Sequence, residues 1–160
     1  MKTFALFLLS FILGFLGRPS QALSPAQPFM IVIESENAKP KSGSEVWIKV
    51  SLTNRSSRDL DMSGGFSDTT GLDPNYHFDV RDEDGRLVPK RVYPHPELDT
   101  GKPVNRTVKS QETFMEEQRV SALYDMKRPG EYVVQVWRRA SENPKDGVVR
   151  SNVLTITVVN

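Results

Sequence analysis

Val46, Ile48, Val50 and Leu52 alternate with Trp47, Lys49, Ser51 and Thr53. A period of two is the signature of an extended strand with one face in a core and one toward water. The run Glu45–Asn54 is therefore a half-buried strand. The turn sequence Lys39-Pro40-Lys41-Ser42-Gly43-Ser44 precedes it. The same grammar recurs along the chain. Phe29–Ile33 is a compact β-branched run. Tyr76, Phe78 and Val80 alternate with His77, Asp79 and Arg81, and Asp82-Glu83-Asp84-Gly85 ends that strand, because Asp-Gly tolerates positive φ. Pro129-Gly130 turns the chain into Glu131–Arg139, where Tyr132, Val134 and Val136 share a face. Asn152–Val159 is a closing strand rich in Val, Ile and Thr.

Weaker signals fill the gaps. Asp59–Met62 reads as a short strand and Thr113–Arg119 as a longer one. Leu87–Val92 reads as a returning strand, demoted to an edge by Pro89, which lacks a ladder donor. Ser121–Met126 suits one helical turn. Ser63–Asn75 and Tyr93–Pro103 are the long loops, and Ser141–Val148 is a charged turn. Seven to nine short strands separated by turn signals predict an all-β, antiparallel β-sandwich. Its predicted core comprises Ile31, Ile33, Val46, Ile48, Val50, Leu52, Phe78, Val80, Tyr132, Val134, Val136, Leu154 and Ile156.

The N-terminus carries an address. Lys2 precedes the apolar run Phe4–Leu16, and Ser20-Gln21-Ala22 places small residues at the −3 and −1 positions of a cleavage site. Residues 1–22 therefore read as a secretory signal peptide, 23–27 as a flexible leader and 28–160 as one domain. The apolar run is shorter than the roughly 20 residues of a spanning helix, so no membrane span is expected after cleavage. Removing 22 of 160 residues leaves 138, and takes Lys2 and Arg18 from the 21 basic residues against 20 acidic ones, for a net charge of −1. That balance argues against nucleic acid as a partner. The chain contains no cysteine. This removes disulfides, thiolate catalysis and Cys-based metal sites, and leaves no lipidated cysteine. A secreted or periplasmic location follows, and a bacterial periplasm suits an exported domain without disulfides.

Leu123-Tyr124-Asp125-Met126 followed by Pro129-Gly130-Glu131-Tyr132-Val133-Val134 resembles the approach to the penultimate strand of immunoglobulin-like domains. Ser151–Ile156 and Val46–Asn54 are similar to the last strand and an early strand of such bacterial secreted domains. The resemblance implies an immunoglobulin-like sandwich and a tyrosine corner at Tyr132, with its hydroxyl bonded to nearby backbone. A narrower resemblance lies in Tyr76-His77-Phe78-Asp79-Val80-Arg81 with Asp84-Gly85, which looks like the aromatic strand and hairpin of the bacterial intracellular-type proteinase-inhibitor family. That family's tryptophan-rich continuation is missing from Val88–Pro96.

Chemistry-bearing motifs are sparse. His77 and His95 are the two histidines, fewer than the three or four ligands of a zinc site. Asp59, Asp61, Asp68, Asp73, Asp79, Asp82, Glu83 and Asp84 make the middle of the chain carboxylate-rich, and the Ser63–Asn75 loop and the Asp82–Asp84 turn are where a calcium site would lie, but EF-hand spacing is absent. Aspartate is also an ordinary turn residue. No catalytic, metal or cofactor-binding residue is therefore assigned. Asn54-Arg55-Ser56 and Asn105-Arg106-Thr107 match the glycosylation sequon. Trp47 and Trp137 fall by alternation on the faces opposite the Val/Ile sets, and they are the predicted partner surface. The expected function is a non-catalytic exported binding or interaction module for a protein or glycan, using loops at one end or a sheet edge. The alternatives are a secreted peptidase inhibitor and a small hydrolase.

Overall fold

The computed structural model describes residues 27–62, 75–91 and 106–160. The expected signal peptide, the expected Tyr93–Pro103 loop, His95 and nearly all of the expected leader and Ser63–Asn75 loop lie outside the described residues. Nine strands occur among the described residues: β1 (Phe29–Glu34), β2 (Trp47–Asn54), β3 (Leu60–Asp61), β4 (His77–Arg81), β5 (Thr107–Val108), β6 (Thr113–Arg119), β7 (Gly130–Arg139), β8 (Val148–Arg150) and β9 (Leu154–Val158). One sheet runs β1-β2-β6. The second joins β4 to β7, whose far edge carries β9 along its first half and β8 along its last residues. β3 and β5 form a separate ribbon. All of these pairings are antiparallel. The result is an immunoglobulin-like, antiparallel β-sandwich.

The period-two pattern decides which face is buried. On β2, Ile48, Val50, Leu52 and Asn54 point inward; on β7, Tyr132, Val134, Val136 and Arg138 do so. Phe29, Ile31 and Ile33 of β1 and Ile156 and Val158 of β9 complete the core between the sheets. Phe78 and Leu154, predicted for the core, are half-buried at its margin, while Tyr76 and Tyr124 are buried.

The N-terminal part of the chain stitches the sheets together. β1 pairs with β2, and residues 38–42 then cross to the other sheet and run parallel to the last strand. Thr157 N–H donates to Ala38 O at 2.8 Å and Val159 N–H to Pro40 O at 2.9 Å, with Lys41 bridged to Val159.

Other expectations are met or revised locally. Gly85 has φ +75° at the end of the Asp82 turn, and Asp82 Oδ1 accepts from the N–H groups of Asp84 and Arg86. Tyr132 Oη–H donates to Arg128 O at 2.9 Å, which is the tyrosine corner. The helical turn is α1 (Val120–Leu123), one residue earlier than its signal. The strand expected at Leu87–Val92 does not form over its described residues 87–91: Leu87 and Lys90 make isolated bridges to Arg81 and Tyr124. Pro89 between them interrupts any ladder.

Candidate functional site

Trp47 and Trp137 sit on strands of different sheets and project from outward faces. The structure does not bring them together, so each has its own surroundings. Trp47 is 38% exposed. Its indole N–H donates to Glu45 Oε2 at 3.0 Å, and Glu45 also pairs with Arg119. The Arg119 guanidinium lies 5.6 Å from the Trp47 ring centroid. The Trp47 and Arg119 hydrogen bonds hold the Glu45 carboxyl below the usual range. Both donors converge on the same Glu45 carboxylate, so this corner is a surface trio.

Trp137 is half-buried. The β4–β7 register places His77 directly opposite it, and the two rings stack with centroids 3.9 Å apart and planes 19° from parallel. Its neighbour on the other side, across the β7–β8 ladder, is Arg150. His77 protonates less readily than usual. Burial is the first cause, and the charges of Lys90, Arg139 and Arg138 add to it. The outer face around this stack is therefore positively polarised.

Arg138 has the same parity as Tyr132, Val134 and Val136, and accordingly turns inward at the end of β7, only 7% exposed. Its Nη2 donates to Met62 O at 3.1 Å, and its guanidinium carbon stands 5.4 Å from the Tyr76 ring centroid. Continuing the strand's alternation one step beyond Val136 is the signal that locates this arginine. A cavity of about 590 Å³ opens beside it. Its wall includes Leu60, Met62, His77, Arg138, Arg139 and Asn143. These residues come from β3, β4, β7 and the β7–β8 turn, so the cavity occupies one end of the sandwich. A cavity of about 350 Å³ lies at the opposite end, lined by the Asp82–Asp84 turn, Asp125, Arg128 and Tyr132. Among the described residues, no three His, Asp or Glu side chains come together as a metal site.

Asn54, the first residue of a sequon, is fully buried and its side chain is committed. Nδ2 donates to Arg58 O at 2.7 Å and Val108 O at 3.0 Å, while Oδ1 accepts from Ser56 N–H and Oγ–H. In the folded protein this amide is a structural bracket.

No family model matches the sequence, and no curated protein matches it. Among solved structures, the chain is similar to the CARDB domain of a Pyrococcus furiosus protein in complex with di-metal ions. That likeness has a TM-score of 0.41 at 11% identity and covers 82% of this chain and 87% of the other. It is also similar to the alkylpurine DNA glycosylase AlkC of Pseudomonas fluorescens bound to DNA containing an abasic site analog. Here the TM-score is 0.43 at 14% identity, over 83% of this chain and 31% of the glycosylase.

Proposed function

We propose that this protein is an exported, non-catalytic recognition module that binds its partner at the end of the sandwich beside His77 and Arg138. The observation that carries the reading is the cavity of about 590 Å³ bounded by β3, β4, β7 and the β7–β8 turn. That volume falls within the roughly 300–1,000 Å³ of ordinary ligand clefts. Its wall combines apolar Leu60 and Met62 with polar Asn143, cationic Arg138 and Arg139, and acidic Asp61 and Glu142. A rigid sandwich presenting connections at one end is also the arrangement by which this architecture recognises partners elsewhere. Export rests on residues 1–22, with their basic start, apolar run and small-residue cleavage site.

The test is an array of peptides and glycans probed with the protein and with Glu142→Trp, which places an indole at the cavity wall. A ligand retained by the parent and weakened at least about tenfold by the plug, at equal melting temperature, supports the reading. Turnover of any array member overturns it. So does inhibition of a serine or metallopeptidase that the plug leaves intact. Secreted material should begin at Leu23; retention of residues 1–22 in the cytoplasm overturns export.

A further inference from the structure

We propose that the outer face of the β4-β7-β8 sheet, next to the cavity, binds an acidic peptide lying extended over Arg139 and Arg150. The proposal rests on the recognition-module reading and names the chemistry of its partner.

Ladder geometry places the two arginines. Trp137 faces Arg150 and Arg139 faces Val148 across the β7–β8 pairing. Arg139 and Arg150 are therefore diagonal neighbours on one face, about 7–8 Å apart at the backbone. Both are exposed. The single side-chain bond of Arg150 is a long 3.5 Å contact to Gln135 Oε1, and neither arginine has a carboxylate at ion-pair distance among the described residues. The nearby carboxylate on the same face, Asp79, is held at 2.9 Å by Arg81 and does not neutralise them. Lys90 does not belong to this pair, because its ammonium stands 6.0 Å from the ring centroid of the buried Tyr124. Exposed Val148 and the edges of the His77–Trp137 stack supply apolar surface between the charges.

The spacing selects the ligand. In an extended peptide, alternate side chains point the same way about 6.6–6.8 Å apart. Glutamates at alternate positions thus match the arginine pair, and guanidinium forks take carboxylates bidentately. A sugar stacks on an open aromatic face, but His77 covers one face of Trp137. A duplex presents a charge about every 1.7 Å and needs a stripe of cations, whereas among the described residues this face offers the arginine pair Arg139 and Arg150.

The experiment is titration calorimetry with the peptide (Glu-Ser)4 against (Gln-Ser)4, a sulfated polysaccharide and single-stranded DNA. Binding of (Glu-Ser)4 that weakens at least about tenfold in the double variant Arg139→Glu, Arg150→Glu, weakens with salt and survives Arg55→Glu is the expected result. Absence of (Glu-Ser)4 binding, equal affinity for (Gln-Ser)4, or tighter binding of polysaccharide or DNA overturns the proposal. A neutral ligand lost in Glu142→Trp but kept in the double variant would overturn this inference and leave the module reading standing.

Discussion

Asn152 completes the exposed edge of β1 with a side chain. Its Oδ1 accepts from Ile33 N–H at 2.8 Å and its Nδ2 donates to Ile33 O at 3.0 Å, across 119 residues of chain. The amide acts as a one-residue strand, satisfying both backbone groups of a nearly fully buried isoleucine. It also marks the break between β8 and β9, where Ser151 Oγ accepts from Val136 N–H at 2.9 Å. The two sheets are thus tied together at a kink.

Replacing Asn152 by Ala should cost about 2–4 kcal/mol, because two backbone groups lose their partners at once. Asn152→Asp should fail differently, since a carboxylate accepts from Ile33 N–H but cannot donate to Ile33 O. Urea unfolding measures the cost, and amide exchange at Ile33 reports the edge. Unchanged exchange in Asn152→Ala would show that the bracket is not formed.

The tyrosine corner gives a smaller effect. Tyr132→Phe removes one hydrogen bond to Arg128 O and keeps the ring in the core. A loss of about 1 kcal/mol is expected in chemical denaturation. Burial also raises the ionisation of the Tyr132 phenol above its usual range, with the Asp125 charge adding to it. In a spectrophotometric titration its signal should therefore appear late; ionisation at the ordinary tyrosine position would contradict the burial of the phenol.

Gln118 is a weak point of the core. It is 1% exposed, stands opposite Ile48 on the inward face of β6, and among the described residues neither amide atom has a hydrogen-bond partner. Substituting an apolar side chain of similar volume removes that burden. Gln118→Met should raise stability by about 1 kcal/mol or more. A lower melting temperature for this variant would show that the amide is satisfied in solution.

His77 predicts a pH response. Burial first, and then Lys90, Arg139 and Arg138, depress its protonation in the folded state. As pH falls through the ordinary histidine range, the unfolded chain takes up a proton before the folded one does. Stability from this group is therefore full above that range, declines as pH falls through it, and levels off below the folded-state pKa. NMR titration should find the His77 midpoint below about 6.5, and Arg139→Gln should move it upward. The fall in melting temperature from about pH 7.5 to 5 should be shallower in His77→Gln; identical profiles would remove His77 as a cause.

Local physics made much of the sandwich readable. Period-two alternation located β2, β4 and β7 and named their inward residues, because side-chain direction in a strand is set by the backbone alone. The Thr113–Arg119 signal coincides with β6, and the Pro-Gly and tyrosine pattern located the corner. β5 and β8, of two and three residues, gave no such signal. Segments that short have too few positions for a period to show.

The sequence by itself determined the longer strands and their buried faces. Tertiary structure alone decided how those faces meet. It separated Trp47 from Trp137, stacked Trp137 on His77, made Asn54 an internal bracket and Asn152 an edge bracket, and placed Arg138 beside a cavity. Strand direction is written in neighbouring residues. Pairing and register, by contrast, depend on satisfying backbone groups that lie tens of residues apart, as Trp47 and Arg119 or His77 and Trp137 do, and no local pattern encodes that choice.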